Sequence, residues 1–167
     1  MKSAINPVIV ALAALLFGGT LACAEVSVGQ PFPKLAEFGL SGQLPDQTGR
    51  VVLVDFWATW CAPCRASFPT YDSLQRELGE RGLTIIGVSV DKEEDRYTSF
   101  IGRFSPGFVT LRDADQRLVA AVHPLVMPTS YLLDRHGVVR AVHSGFHGAA
   151  TARQLREEIT KLLEEQS

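Results

Sequence analysis

The chain has 167 residues, of which 46% are hydrophobic and 20% are charged, and its formal net charge is −2. This composition is that of an ordinary globular protein and excludes a disordered or fibrous chain. Acidic and basic residues are interspersed, so the charge pattern gives no indication of a nucleic acid or an anionic membrane surface as a partner. The length is sufficient for one domain with a hydrophobic core.

The first predicted element is an N-terminal segment, residues 1–24, that differs from the rest of the chain. Lys2 is its only charged side chain, and a short apolar run leads to an Ala-x-Ala site that ends at Ala24. This pattern predicts a cleaved secretory signal peptide, which leaves residues 25–167 as the mature domain. An uncleaved membrane anchor is one alternative, although the run is short for a bilayer span. A lipobox whose Cys23 is acylated is the other, and it would anchor the protein to a membrane.

The first half of the mature domain alternates between apolar runs and helical spacing. Residues 25–50 are punctuated by glycine and proline, which favours a loop or a short hairpin. Val51–Trp57 is almost continuously apolar and predicts a strand that is buried on both faces. Apolar residues at helical spacing up to Leu78 predict the following helix, and residues 83–90 predict a second buried strand.

The second half continues this alternation. Its predicted elements are a helix over 97–104, a strand over 107–111, a helix over 118–125 with cap candidates Asp113 and Asp115, a hairpin of strands 129–133 and 138–144, and a final helix opened by a capping box at Thr151 and Gln154. Strands and helices that alternate in this way predict an α/β fold in one domain, with helices on both faces of a central sheet.

Two cysteines, Cys61 and Cys64, lie where the first buried strand gives way to the first helix. Exposed backbone N–H groups and the positive end of the helix dipole favour the thiolate of Cys61, which makes it the nucleophile toward a partner's disulfide. Cys64, one turn further on, then resolves the mixed disulfide. Pro63 lies in the first helical turn, where a missing N–H carries no cost. A bridge across so short a loop contributes little to stability, so a redox role is the better interpretation.

The segment from Phe56 to Arg65, with its sequence Phe-Trp-Ala-Thr-Trp-Cys-Ala-Pro-Cys-Arg, resembles thioredoxin-like proteins of the TlpA/ResA type. The resemblance continues through residues 87–91 and 127–137. It implies a thioredoxin fold with a mixed sheet, in which a helix and a strand are inserted between the CxxC helix and a cis-proline. That proline is Pro128, whose loop pairs with the substrate backbone.

The same resemblance implies an exported thiol–disulfide oxidoreductase of the periplasm or another extracytoplasmic compartment. Its expected direction is reduction of protein disulfides, as in the reductants of cytochrome c maturation, with electrons from a membrane thiol donor. No metal, nucleotide or flavin cofactor is implied. A disulfide oxidant or isomerase is the open alternative, because the potential depends on thiolate stabilisation that the sequence does not fix.

Four further residues are expected to support substrate binding. Trp60 gives an apolar landing surface beside the disulfide, and Pro63 stiffens the CxxC loop. Met127 is expected to face the sulfurs, and Thr129 follows the cis-proline in the matched motif.

Two positions depart from the TlpA/ResA pattern. Ser67 stands where a glutamate is frequent, and Asp55 stands where asparagine is usual. Asp55 instead resembles the buried aspartate of cytosolic thioredoxins, and we hypothesise that it accepts the proton of Cys64. Burial within an apolar strand is expected to raise its pKa toward working pH. The alternative is a purely structural, hydrogen-bonded carboxylate.

Metal binding is the remaining alternative. His143 and His147 have ligand-like spacing for zinc, but they are far in sequence from the cysteines, and a zinc site is not favoured. Copper delivery is the stronger rival, because two thiolates with His123 nearby suit Cu(I). Copper chaperones of this fold typically have three residues between their cysteines, however, and this chain has two.

Overall fold

The computed structural model describes residues 26–165. Its elements in chain order are a 3₁₀ turn (Leu35–Glu37), β1 (Val51–Trp57), α1 (Ala62–Leu78), β2 (Leu83–Ser89), α2 (Glu94–Phe104), β3 (Val109–Arg112), α3 (Arg117–Val122), β4 (Thr129–Leu133), β5 (Val139–Ser144) and α4 (Ala149–Glu164). Five strands form one sheet in the order β3-β2-β1-β4-β5.

The sheet is mixed, with β1 at its centre. β1 is parallel to β2 and antiparallel to β4, β3 is parallel to β2, and β5 is antiparallel to β4. Every residue of β1 and β2 is buried, as their apolar runs predict, because elements cover these strands on both faces. α2 and β3 lie between α1 and Pro128, so the expected helix-strand unit is present and its strand forms one edge of the sheet.

The helices α1, α2 and α4 share one face of the sheet. The ring of Trp57 on β1 lies 4.8 Å from that of Phe68 on α1 and 5.3 Å from that of Phe100 on α2. An ion pair links Arg156 on α4 to Glu77 on α1. On the opposite face, Phe32 of the N-terminal loop packs against Tyr131 of β4. The α/β architecture expected from the sequence is therefore confirmed, with the CxxC helix packed directly on the central strand.

The predicted capping box at Thr151 and Gln154 is wrong. α4 begins at Ala149, and its N-cap residue is Gly148, whose φ is 64°. The positive φ, which glycine adopts easily, turns the chain into the helix three residues earlier than expected. Thr151 therefore lies in the first turn, where its hydroxyl accepts a hydrogen bond from the backbone N–H of His147.

The third predicted helix is also shorter than expected. α3 ends at Val122 because His123 has a φ of 54° and Pro124 follows it. Residues 123–126 consequently form part of the loop that leads to Pro128. The N-cap residue of α3 is Gln116, so neither cap candidate, Asp113 or Asp115, occupies that position. Asp113 nevertheless accepts hydrogen bonds from the backbone N–H groups of Arg117 and Val119 in the first turn.

The predicted signal peptide and its alternative lipidation site at Cys23 lie outside the described residues. Within residues 26–165, no helix combines the length and the apolar character needed to cross a bilayer.

Candidate active site

Cys61 and Cys64 form a disulfide at the N-terminus of α1, with a Cα–Cα distance of 5.3 Å. Cys61 is the N-cap residue, and its Sγ accepts a hydrogen bond of 3.3 Å from the backbone N–H of Cys64. Cys61 is 6% exposed, whereas Cys64 is fully buried. The more exposed cysteine is therefore the one that the helix terminus favours as a thiolate, which is the arrangement expected of an attacking residue.

An open groove of about 520 Å³ borders the disulfide. Its lining residues are Trp60, Cys61, Ala62, Pro63, Pro124, Leu125, Val126 and Met127. Two of the apolar side chains are strongly exposed, Trp60 at 61% and Leu125 at 72%. The structure thus brings the predicted residues Trp60, Pro63 and Met127 together beside Cys61. Contiguous exposed apolar side chains of this kind mark an interaction surface.

The loop before β4 carries the predicted proline. The Met127–Pro128 peptide bond is cis. The Pro128 carbonyl accepts a hydrogen bond from the Gly145 backbone N–H, and the Thr129 hydroxyl donates to the Val126 carbonyl, so the loop is tied down on both sides of Met127. Within residues 26–165, no hydrogen bond engages the backbone of Met127 itself. Its N–H and C=O groups are available to an incoming chain.

Asp55 is fully buried in the middle of β1. The strand register places it opposite Ser130 of β4, and Tyr71 reaches it from α1. Asp55 Oδ1 accepts hydrogen bonds from the Tyr71 hydroxyl at 2.9 Å and from the Ser130 hydroxyl at 2.7 Å, whereas Oδ2 has no hydrogen-bond partner among the described residues. Loss of solvation raises the pKa of Asp55 to about 7, and the two hydroxyl donors oppose that rise only in part.

The hydroxyls of Tyr71 and Ser67 connect Asp55 to the turn that carries the disulfide. Ser67 donates a hydrogen bond of 2.7 Å to the Cys64 carbonyl, and it also interacts with the hydroxyl of Tyr71. Burial, and to a lesser extent the neighbouring charge of Asp55, raise the pKa of Tyr71 well above its usual value. Tyr71 therefore stays protonated and remains a hydrogen-bond donor. A connected polar path therefore runs through the core from the turn that holds Cys64 to Asp55.

Sequence reasoning missed Tyr71 and Ser130 as site residues. In the sequence, Tyr71 lies among the apolar residues at helical spacing that predict the CxxC helix, and Ser130 lies within the matched segment 127–137. A buried tyrosine usually finds a partner for its hydroxyl, and that rule together with the predicted acid at Asp55 was the available signal.

Three histidines were candidates for metal binding, His123, His143 and His147. His143 on β5 is mostly buried, and its Nε2 lies 2.7 Å from a carboxylate oxygen of Glu158 on α4. His147 follows β5 in the loop before α4, and His123 ends α3. In the part of the chain that the structure describes, no group of three or more His, Cys, Asp and Glu side chains is arranged to hold a metal ion.

Comparison with known proteins gives consistent results. The family model described as Redoxin matches residues 27–157. The chain is 34% identical over 126 residues to the thioredoxin-like protein YneN of Bacillus subtilis, covering 72% of this chain and 73% of that protein. It is 27% identical over 141 residues to the thiol-disulfide oxidoreductase ResA of Bacillus thuringiensis, covering 83% and 80% of the two chains.

Among solved structures, a Chlorobium tepidum protein described as a thiol:disulfide interchange protein DsbE superposes with a TM-score of 0.77. It shares 32% sequence identity, and the match covers 83% of this chain and 99% of that one. The matched region of the family model contains the whole sheet, the Cys61–Cys64 pair and the cis-proline loop. The chain therefore belongs to the Redoxin family, and it is a thiol–disulfide oxidoreductase of the thioredoxin superfamily.

Proposed function

We propose that this protein is an exported reductant of protein disulfides, of the cytochrome c maturation type, that works through Cys61 and Cys64. The observation that carries the proposal is the pair itself. Cys61, the more exposed of the two cysteines, lies at a helix N-terminus and lines an apolar groove, and the fully buried Cys64 lies one turn further along the helix. A dithiol in this position favours the thiolate of one cysteine and protects the other.

The reaction begins from the dithiol state. The Cys61 thiolate attacks one sulfur of a substrate disulfide, the substrate S–S bond breaks, and the leaving substrate thiolate takes up a proton. Cys64 then loses its proton and attacks Cys61 Sγ. This step forms the Cys61–Cys64 disulfide and releases the second substrate thiolate, so two electrons have passed to the substrate.

The substrate segment is proposed to lie across the groove beside Cys61. The unengaged N–H and C=O groups of Met127 are suited to pair with an extended backbone, while Pro128 and Thr129 hold the loop in place. Trp60 and Pro63 offer apolar contact next to the reacting cysteine. Recognition by this loop depends on backbone pairing, so the loop itself places little demand on the side chains around the substrate cysteine.

Asp55 is proposed to accept the proton that Cys64 must lose. Its Oδ2 atom has no partner within residues 26–165, and its pKa of about 7 allows it to hold or release a proton near neutral pH. Tyr71 and Ser130 orient the carboxylate through the other oxygen. Asp55 thereby supplies an acid–base group in a site where the family's frequent glutamate is replaced by Ser67.

The proposed location is extracytoplasmic, and its support is the N-terminal sequence pattern. Residues 1–24 are proposed to be a cleaved signal peptide, with acylation of Cys23 as the competing route to a membrane-attached protein. A reductant in an oxidising compartment needs a continuous electron supply, and we propose a membrane thiol protein as the donor.

The redox equilibrium of the purified protein against glutathione, followed by thiol trapping, tests the direction of transfer. A reductant is expected to have a potential well below the glutathione poise of an oxidising compartment, which is about −180 to −210 mV. A potential near about −120 mV, typical of a strong oxidant, would instead identify a disulfide donor. Absence of any Cys61–Cys64 cycling would reject disulfide exchange and favour copper binding.

A further inference from the structure

We propose that a cationic groove between the active-site loop and α2 docks an acidic, partly apolar segment of the protein that exchanges disulfides with Cys61. The proposal rests on the function proposed above and adds to it the chemistry of the partner. The groove has a volume of about 730 Å³ and is distinct from the apolar groove beside the disulfide.

The position of the groove ties it to the redox site. Thr59, two residues before Cys61, and Arg65, directly after Cys64, line it from the active-site side, and residues of α2 form the other wall. The Arg65 guanidinium donates a hydrogen bond of 2.7 Å to the Thr59 carbonyl, which holds this cation at the mouth of the loop. The intervening residues Trp60 to Pro63 line the apolar groove instead. A partner whose cysteine reaches Cys61 therefore lies over both grooves.

The cationic groove carries positive charge that the protein itself leaves largely unpaired. Its charged lining residues are Arg65, Arg96, Arg103 and Asp95. Arg65 and Arg103 bond to backbone carbonyls, and within residues 26–165 neither has a carboxylate within ion-pair distance. Arg96 lies 3.7 Å from Glu93, but both side chains are 65% exposed, and such a pair contributes little. The net charge of the groove lining is thus positive, whereas the net charge of the whole chain is −2.

The floor of the groove is apolar and fixed in place. The rings of Phe100 and Phe104 stack 5.7 Å apart, nearly parallel at 9°. Both rings pack edge-on against Phe68 of α1. Phe104 remains 36% exposed, so part of this aromatic surface is available to a ligand.

This combination selects one class of partner. Arginine forms paired hydrogen bonds with carboxylates, and its charged groups surround a hydrophobic floor, so the matching ligand carries acidic and apolar side chains together. Because the reacting partner of Cys61 is a polypeptide, one acidic polypeptide segment can occupy both grooves at once. Charge complementarity at such a site raises the association rate and gives specificity.

The test compares two disulfide-bonded peptides that differ only beside the reactive cysteine, one with Asp and Glu interspersed with Leu and the other with Asn and Gln at the acidic positions. The dithiol protein is expected to reduce the acidic peptide about tenfold faster at low salt, and the difference is expected to shrink at high salt. Arg96→Glu combined with Arg103→Glu should remove the preference without slowing reduction of the amide peptide. The matched control is Arg76→Glu with Arg153→Glu, which makes the same charge change on exposed positions of α1 and α4.

Five results overturn the proposal or its basis. Equal rates for the two peptides with the unaltered protein, or an undiminished preference in the Arg96/Arg103 variant, would reject the docking groove while leaving disulfide reduction intact. Loss of preference in the control variant as well would show a general charge effect instead. Failure to reduce either peptide would reject the proposed function itself. Groove-dependent binding to vesicles of anionic phospholipid, with no peptide preference, would assign the groove to a membrane surface.

Discussion

Two buried aspartates, one within β1 and one just after the neighbouring parallel strand β2, differ in the hydrogen bonds that their oxygens accept. Asp91, just after β2, accepts hydrogen bonds at both oxygens, from the backbone N–H and hydroxyl of Thr59 and from the hydroxyl of Ser89. Asp55, within β1, concentrates both of its hydrogen bonds on Oδ1 and leaves Oδ2 without a partner among the described residues. Both side chains are almost completely removed from solvent.

The difference separates a fully hydrogen-bonded carboxylate from the one that is proposed to take up a proton. Three donors satisfy Asp91, so it fixes the loop that carries Thr59 ahead of the cysteines. Asp55 has lost its solvation without full compensation, which raises its pKa to about 7 and leaves one oxygen available for a proton. Burial is therefore common to both carboxylates, and the unoccupied oxygen is the feature that supports the proposed acid–base role of Asp55.

The largest expected effect is on the pH dependence of stability. Burial raises the pKa of Asp55 from its ordinary value of 3.8 to about 7, so between these values the folded state keeps a proton that the unfolded state releases. The contribution of Asp55 to the free energy of unfolding is therefore fully present below about pH 4. It is lost as pH rises toward 7, by about 4 kcal/mol in total. Asp55→Asn should abolish this loss, as measured by urea unfolding from pH 4.5 to 8.

The control for that measurement is Asp115→Asn, at an exposed position before α3. In this variant the free energy of unfolding should change with pH as it does in the unaltered protein, because Asp55 is retained. If Asp55→Asn also keeps the slope, the raised pKa of Asp55 is wrong.

The next effect concerns Asp91. Asp91→Asn replaces one acceptor oxygen with an NH₂ group that faces existing donors, and it should lower the free energy of unfolding by about 2 kcal/mol. Because Asp55 is untouched, the pH slope should remain. A loss below about 0.5 kcal/mol, the range of an ordinary surface substitution, would contradict the structural role assigned to Asp91.

A smaller effect is expected from Tyr71→Phe, which removes one donor from Asp55 Oδ1. Because this hydrogen bond lowers the pKa of Asp55, its loss should raise that pKa. The decrease of the free energy of unfolding with rising pH should therefore continue to higher pH than in the unaltered protein. Global stability should change by about 1 kcal/mol. Tyr97→Phe provides the matched control, since it removes a hydroxyl that bonds to Thr110 away from Asp55. Identical pH profiles in the two variants would show that Tyr71 does not tune the carboxylate.

Much of the fold was predictable because its signals are local. The apolar runs predict β1 and β2. The segment from Phe56 to Arg65 indicates the family and the redox pair. The burial and the raised pKa of Asp55 also followed from a single acid within an otherwise apolar strand. In each case the residue pattern itself carries the physical cause.

What sequence reasoning missed depends on tertiary register or on backbone conformation. Ser130 meets Asp55 only because β4 pairs antiparallel with β1 in one register, and Tyr71 does so through the packing of α1. The start of α4 depends on the positive φ of Gly148, which competes with the capping signal of Thr151. The cationic groove needs α2 placed beside the CxxC loop, and periodicity does not provide that placement.

The most direct test of Asp55 as the proton acceptor is the pH–rate profile of disulfide reduction. In the unaltered protein the rate should rise as pH passes through about 7, because Asp55 must be ionised to take the proton of Cys64. Asp55→Asn should remove that rise and slow reduction about a hundredfold at pH 8, while alkylation of Cys61 by iodoacetamide stays unchanged. Superimposable rate profiles for the two proteins would contradict the proposed role of Asp55.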